Sequence, residues 1–399
     1  MTGFAAGQPS LLRAINERAI LELIRSRGAI SRAQIARATG LSKPTVSLAL
    51  GGLIGAGLVH EVGRSSGRKG PSAALYELDP SSGWVVGIDV GRHWVRVAVA
   101  DIAGNVAARS DERTHARSSA SLIEQIGRLA HDVAAEAGIR WRDVSHATVG
   151  VGGVVDPHRG AFSLAPNLPG LGRQGLIGAI RDELGTGVTF ENDVNLAALG
   201  ELAKGAGRGV ANFVFLFVGT GVGMGIVIGG ELYRGTSGAA GEIGYMPVGE
   251  GDPRDRAVRR RGQLETSASA AAVVRFAQET GVRPPLTAKR VFSLAERGDR
   301  KAVAVVRAEA QRIALAVAAV APVLDPELVI LGGGIGGNRV LVDPVEAELR
   351  QISPFRPRIE ISQLGEEAVL SGALATALSA AQERVFSRAP DPERREIVV

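Results

Sequence analysis

The chain has 399 residues, enough for two or three domains with sizeable cores. It contains no cysteine, which excludes disulfides and thiolate metal sites, and its many glycines punctuate Val/Ile-rich runs instead of forming a low-complexity tract. The net charge of +5 is unevenly spread: residues 1–80 hold ten Lys/Arg against five Asp/Glu, whereas the other 319 residues balance at 36 against 36. A basic excess confined to the first fifth of a chain is the signature of a polyanion-binding head.

Met1–Ser10 lacks a basic stretch followed by an apolar run, which argues against a signal peptide. The longest apolar stretches, such as Ile313–Leu324, fall short of the ~20 residues that span a bilayer. The reading is a soluble, cytoplasmic chain with no membrane partner.

Leu11, Leu12, Ile15, Ala19, Ile20, Leu23 and Ile24 recur at helical spacing and predict an amphipathic helix over Leu11–Ser26, ended by Gly28. Ser31 caps a short helix, Arg32–Ala38, and Thr39-Gly40-Leu41-Ser42 turns into a third, from Lys43 to about Ile54. Pro44 suits that helix's first turn, and Val46, Leu50 and Leu53 form its buried stripe. Two helices joined by a four-residue glycine turn form a helix-turn-helix, whose second helix enters the DNA major groove. Ser42, Lys43, Thr45 and Ser47 are its candidate DNA contacts. Strands at Leu58–Val62 and Ala74–Leu78 flank a cationic loop with Arg64, Arg68 and Lys69, which makes the head winged. The competing reading is a three-helix protein-interaction module with a solvated basic loop.

Pro80–Gly83 is a short linker. Strands follow at Trp84–Val90 and Val95–Asp101, with another after the Ala103-Gly104-Asn105 turn. Next come a helix over Ser121–Gly138, a strand at Ala147–Gly152, a helix over Leu176–Leu184, a strand at Val188–Glu191 and a helix over Asp193–Ala203. A second series opens with strands at Asn212–Val218 and Met224–Ile228. Helices cover Thr266–Thr280, Ala288–Glu296 and Asp299–Leu324, then a strand at Leu328–Leu331 and a last helix over Glu366–Ala381. Two α/β halves that each open on a meander and end on helices predict two lobes facing a cleft, with ligands beyond the strand ends.

The polar candidates sit at such ends. Asp193 can act as a general base and Asn192 can fix a neighbouring oxygen, or the pair is an N-cap. Gly219-Thr220-Gly221-Val222-Gly223 either cradles phosphate or is a tight hairpin. Glu242, Tyr245 and Glu265 can line a polyhydroxylated ligand or be surface groups. The six histidines lack metal-ligand spacing, and Arg259–Arg261 reads as a solvated loop.

Taken in order, Gly87-Ile88-Asp89-Val90-Gly91, Ala165–Gly170, Glu191-Asn192-Asp193-Val194-Asn195, Gly219–Gly225, Gly238–Gly244, Leu264-Glu265-Thr266 and Ile330–Gly334 resemble the ROK family of repressors, open reading frames and sugar kinases. The similarity runs from about Leu11 to Ala381. It implies an α/β, two-lobed actin-like sugar-kinase ATPase fold behind a small winged helix-turn-helix. The implied layout is head 1–80, first lobe 83–200, second lobe 201–385 with its C-terminal helix packed back on the first, and a flexible tail 386–399. It further implies sugar contacts at Asn192, Asp193, Glu242 and Glu265, with Gly153 and Asn167 on the first lobe. A vestigial nucleotide site falls on Gly219, Thr220, Gly221 and Gly333.

The departures from the family pattern are specific. Family kinases carry Asp-x-Gly-Gly-Thr where this chain reads Asp89-Val90-Gly91-Arg92-His93. The family zinc site uses one His and three Cys, here replaced by Tyr245, Arg256, Val258 and Gln263, so no zinc is expected; Tyr245 can still donate to a sugar oxygen. The resemblance therefore points to a homo-oligomeric repressor that binds double-stranded operator DNA and senses a sugar or amino sugar, phosphorylated or not, without a cofactor. The alternatives are an ATP/Mg-dependent sugar kinase with Asp193 as base, and a constitutive DNA-binding scaffold.

Overall fold

The computed structural model describes residues 9–65, 72–156, 161–163 and 175–388. The head comprises α1 (Pro9–Arg27), β1 (Ile30–Ser31), α2 (Arg32–Thr39), α3 (Lys43–Gly55), β2 (Val59–Arg64) and β3 (Ala74–Leu78). Its strands pair in the order β1-β3-β2, all antiparallel. Ser31 and Gln34 close a reciprocal capping box on α2, Gly40 takes a left-handed φ of 71°, and the Ser42 hydroxyl accepts from Thr45 N at the start of α3. Ile20, Ile24, Ile35, Val46, Leu50, Leu53 and Tyr76 form the head's core. The apolar stripe on α1 is shorter than the sequence suggests. Leu12 and Ile15 are exposed, and Leu21 joins Ile20 and Ile24 inside; the first half of α1 meets α3 through Arg13 and Glu17, whose side chains lie against Gly52.

The body repeats one topology twice. In the first lobe β4 (Trp84–Val90), β5 (Trp94–Asp101) and β6 (Val106–Arg113) form an antiparallel meander. After α4 (Ser119–Glu136), β7 (Val144–Val151) pairs parallel to β4. A small hairpin of β8 (Val154–Asp156) and β9 (Ala161–Ser163) and the helix α5 (Leu176–Leu184) follow, before β10 (Gly187–Asn192) pairs parallel to β7. The sheet order is β10-β7-β4-β5-β6. Helix α6 (Asp193–Lys204) then carries the chain to the second lobe.

There β11 (Phe213–Val218), β12 (Val222–Ile228) and β13 (Glu231–Leu232) form the meander. Helices α7 (Arg256–Arg261), α8 (Gln263–Ala268), α9 (Ala270–Glu279), α10 (Ala288–Glu296) and α11 (Arg300–Leu324) come next. The lobe closes with β14 (Leu328–Gly332), α12 (Gly333–Gly336), α13 (Val342–Ile352) and β15 (Arg358–Ile361), giving the order β13-β12-β11-β14-β15. Phe213 and Phe215 are fully buried on β11, at roughly 1.5–3 kcal/mol each by area.

The last helix, α14 (Ala368–Arg388), leaves the second lobe and lies on the first lobe's sheet. Leu370, Leu374, Ala377 and Leu378 bury against Val85, Ala98 and Ala100. It begins two residues after the predicted Glu366 start and runs on through Arg388, so Phe386, Ser387 and Arg388 of the predicted tail are helical; the rest of that tail lies outside the described residues. Three other expectations are corrected. The predicted helix Thr266–Thr280 is broken at Ser269, because Ala270 N donates to Gly219 O (2.7 Å) and not along the helix. The Arg259–Arg261 run is helical, since Asp255 caps the turn before it. The loop after β11 is only Gly219-Thr220-Gly221, because β12 starts at Val222.

Candidate functional site

Two surfaces collect the candidate residues. On the head, Ser42, Lys43 and Ser47 are exposed at the N-terminal end of α3. The Thr45 hydroxyl is tied to Ser42 Oγ (2.8 Å), so it is less free than its neighbours. Leu48, 62% exposed, lies one turn beyond Pro44 on the same outward face, and no apolar-stripe argument places it there. Arg64 is exposed at the end of β2. Arg68 and Lys69 lie outside the described residues, as does Asn167.

The second surface is a cleft of about 900 Å³, including its solvent-open mouth, between the lobes. Gly153, Asn192, Asp193, Glu242, Tyr245 and Glu265 all line it, with Thr220 and Gly221. Gly219 and Gly333 do not line it; a Cβ on Gly219 would lie 3.6 Å from Gly334 N, so the two glycine turns adjoin each other instead.

The two readings of the Asn-Asp pair separate cleanly. Asn192 is the cap of α6: its Oδ1 accepts from Val194 N (2.8 Å) and Asn195 N (3.1 Å), and its Nδ2 donates to Gly153 O (3.0 Å). Asp193 is the first helical residue, and its Oδ1 accepts from Val194 N (2.9 Å). Burial pushes the Asp193 carboxyl above the usual range, against the opposing backbone hydrogen bonds. Glu242 is raised to about 7, first by burial and then by Asp193 and Glu265. Burial also raises Glu265, although Val222 N–H (3.2 Å) and Arg261 oppose it. Three carboxyls in one cleft cannot all ionise cheaply, so the arrangement is chemically suited to hydroxyl donors or to a retained proton.

Close backbone approach builds this wall. Gly241, at φ 90°, packs directly on the Met224 carbonyl, and Gly262, at φ 92°, on the Gly244 carbonyl, where no side chain fits. Arg260 and Arg261 also line the cleft. Arg261 Nε faces Glu265 Oε1 at 3.6 Å, an i,i+4 spacing that was the available signal for their inclusion. Sequence reasoning also missed Glu191. It is buried on β10, accepts from Asn192 N and Asn195 Nδ2 (both 2.9 Å), and pairs with Arg234 Nε (2.6 Å) from the opposite lobe.

A family model described as the ROK family matches residues 85–380. The chain belongs to the ROK family. A second model, described as winged helix-turn-helix DNA-binding, matches residues 13–59. A putative xylose repressor of a Caldicellulosiruptor species is 28% identical, over 94% of this chain and 98% of its own. A glucokinase of Halalkalibacterium halodurans is 32% identical over 73% of this chain and 94% of its own. Among solved structures, a ROK family transcriptional regulator described as a homolog of the E. coli MLC protein has a TM-score of 0.77 at 23% identity, covering 95% of this chain and 98% of that one, a likeness of fold. A ROK hexokinase from Thermus thermophilus has a TM-score of 0.64 at 29% identity, covering 75% and 99%.

As a ROK protein, the chain departs from the family at two places. Asp89 on β4 is buried and pairs with Arg96 (3.0 Å), which also reaches Glu366 (3.1 Å) and Asp111 (3.5 Å). Burial lifts the Asp89 carboxyl to about 6, with Arg96 pulling it down and Asp193 pushing it up. Arg92 and His93 project into solvent at the adjoining turn. At the family's zinc position, Tyr245 donates to Arg260 O (3.3 Å) and the Gln263 amide nitrogen faces two carbonyls. With Arg256 and Val258 as the other two residues, this donor set does not fit zinc. Among the described residues no cluster of three His, Cys, Asp or Glu side chains is placed to hold a metal.

Proposed function

We propose that the protein is a sugar-responsive transcriptional repressor. The observation that carries this reading is one chain joining a winged helix-turn-helix, with the N-terminal face of α3 free, to a carboxyl-lined cleft between two lobes. Full-length similarity to proteins named xylose repressors supports it. In this reading Lys43, Ser47 and Leu48 meet base edges, Leu48 against a thymine methyl, while Ser42 and the wing arginines hold phosphates. The protein acts as a homo-oligomer on paired half-sites. Asn192, Asp193, Glu242 and Glu265 accept hydroxyls of a sugar or amino sugar, with Gly153 and Asn167 completing the first-lobe side, and Tyr245 donates.

The cleft is connected to the head through packed helices that end in a surface ion pair. Helix α6 starts at the cleft with Asp193, and Gly200 on it meets α14 with no room for a side chain. Glu201, fully buried, accepts from Ala206 N (2.7 Å), Ser362 Oγ (2.6 Å) and Leu364 N (3.1 Å), pinning both interlobe crossings. Helix α14 then crosses the first lobe to Glu383, which faces Arg18 of α1 (3.6 Å). A sugar that binds one interlobe angle better than another shifts the head by that difference in affinity alone.

The deciding experiment is fluorescence anisotropy on the DNA upstream of the gene. Salt-sensitive preference over random duplex, altered by D-xylose or another sugar of a hexose and amino-sugar panel, supports repression. Binding without preference contradicts it. Asp193 favours a second reading, a sugar kinase with that carboxylate as base. Arg92 and His93 at the phosphate turn and the Arg96 pairing of Asp89 weigh against it. Sustained ADP release on the same panel, abolished by Asp193→Ala, would put the kinase first.

A further inference from the structure

We propose that Gln263, with Ser267 and Arg312, is the positioning device that fixes the rim of the cleft, and that it does so by side-chain contacts without a metal. The inference rests on the cleft being the sugar site. The rim is formed by α7 and the start of α8, which bring Arg260, Arg261 and Glu265 to the pocket. The segment leading into it, Gly249–Ala257, has Ala257 and Pro253 as its only apolar side chains and is exposed throughout. It has no hydrophobic anchor of its own, so something polar must hold it.

Three buried side chains do. Gln263 Nε2 donates to both Gly249 O (3.0 Å) and Gly251 O (2.9 Å). Ser267, one turn later on α8 and fully buried, accepts from Glu250 N (2.8 Å) at its Oγ. Arg312, reaching over from α11, donates to Glu250 Oε1 (2.9 Å) while its guanidinium lies 4.0 Å from the Phe276 ring centre. Three consecutive residues are thereby gripped from beneath. The fit is tight: a Cβ on Gly249 would lie 2.7 Å from Ser267 Cβ.

The same element carries the functional carboxyl. Glu265 stands two residues after Gln263 on α8, with its carboxylate on Val222 N–H (3.2 Å) and near Arg261 (3.6 Å). The far end of the segment is tied by Tyr245 to Arg260 O and by the Asp255 cap to Ala257 N (2.7 Å). Gln263 occupies one of four positions where the resemblance calls for a zinc ligand, and the end of its side chain that faces the two carbonyls is an amide NH2, a donor with no lone pair to offer a metal. The metal's holding role has passed to an amide, a hydroxyl and a guanidinium.

The test is amide hydrogen exchange on the full-length protein, with rates corrected for intrinsic exchange. Gln263→Glu keeps size and shape but faces two carbonyls with a carboxylate. Exchange across 249–262 should rise at least tenfold over wild type at pH 8 and fall back toward it at pH 5, where the carboxyl regains a proton to donate. Glu250 and Arg312 are the charged groups beside it, and Glu309, 3.7 Å from Arg312 and lifted by burial to about 8, also changes charge over this range; all three are common to both proteins, so each variant is read against wild type at the same pH. Ser267→Ala, a small change in a packed site, should release Glu250 alone. Wild-type exchange should ignore EDTA. Unchanged exchange in both variants, a rise that pH 5 does not reverse, or loosening of the wild type by EDTA would overturn the proposal. If the segment loosens as stated while no sugar of the panel binds wild type, the clamp stands and the sugar reading of the cleft falls.

Discussion

Gly372→Ala probes the link between cleft and head. Helix α14 crosses α6 where a Cβ on Gly372 would overlap the Leu196 carbonyl oxygen and lie 2.9 Å from Gly200 N. Ordinary contact begins at about 3.4 Å, and the Leu196 carbonyl is the limiting contact, so the helices must part by about 1 Å or more, with both backbones rigid. Overpacking of this kind costs about 1–3 kcal/mol, which lowers the melting temperature of the lobes by roughly 3–10 °C. The same separation loosens the α6–α14 crossing, the largest of α14's contacts with the rest of the body. If ligand coupling here has the usual size of about 1–3 kcal/mol, a sugar changes wild-type operator affinity by about 5–150-fold, and Gly372→Ala should cut that to within about threefold. Operator anisotropy with and without sugar, alongside calorimetric sugar titration, separates coupling from simple loss of binding. A variant that melts lower yet keeps the full wild-type sugar response refutes transmission through this crossing.

Lys43→Ala or Ser47→Ala should flatten discrimination between operator and mutated operator by about 1–3 kcal/mol, whereas Arg64→Ala should weaken all duplexes alike and lower the salt slope by about 1; anisotropy over a salt series checks both. Burial, with Asp193 and Glu265 beside it, raises Glu242 to about 7. Sugar hydroxyls favour the carboxylate, so sugar affinity should be about 3–10-fold higher at pH 8 than at pH 6, and Glu242→Gln should remove the difference in calorimetry. Glu309 is fully buried on α11 with neither oxygen hydrogen-bonded, and burial lifts it to about 8 against the pull of Arg312. Its folded-state value exceeds the ordinary glutamate value of 4.5, so the folded protein holds an extra proton between those limits and loses stability as pH rises through them. Glu309→Gln should therefore melt higher than wild type at pH 8.5 and show no such gain at pH 5, by scanning calorimetry.

Much of the fold is legible because its strongest signals are local. The helices Leu176–Leu184 and Ala288–Glu296 and the strand Trp84–Val90 match their predicted limits, each bounded by capping, glycine or linker residues. Helix α13 and strand β15 went unread: β15 is four residues long at a sheet edge, and its Arg-Ile-Glu-Ile pattern carries little signal outside its pairing with β14. The exposed Leu12 and Ile15 show the complementary failure, where helical periodicity outruns the surface that covers it. In the cleft, Asn192, Asp193, Glu242, Tyr245 and Glu265 were found because each follows a strand end or a glycine turn. Arg260 and Arg261 look like a solvated run in the sequence, since their place on the rim depends on the Asp255 cap and the Gln263 contacts, which bring distant carbonyls together. Glu191 is invisible for the same reason: its partner Arg234 lies across the lobes.

The central claim is that sugar occupancy of the cleft is read out as DNA affinity. The most direct measurement titrates the protein onto its own upstream duplex at fixed salt while one sugar of the panel is varied, and repeats the titration with Glu242→Ala. The account predicts that one sugar shifts wild-type affinity at least fivefold and that Glu242→Ala binds the duplex normally but ignores that sugar. A wild-type affinity indifferent to every sugar, or a Glu242→Ala protein that responds as wild type does, would contradict it.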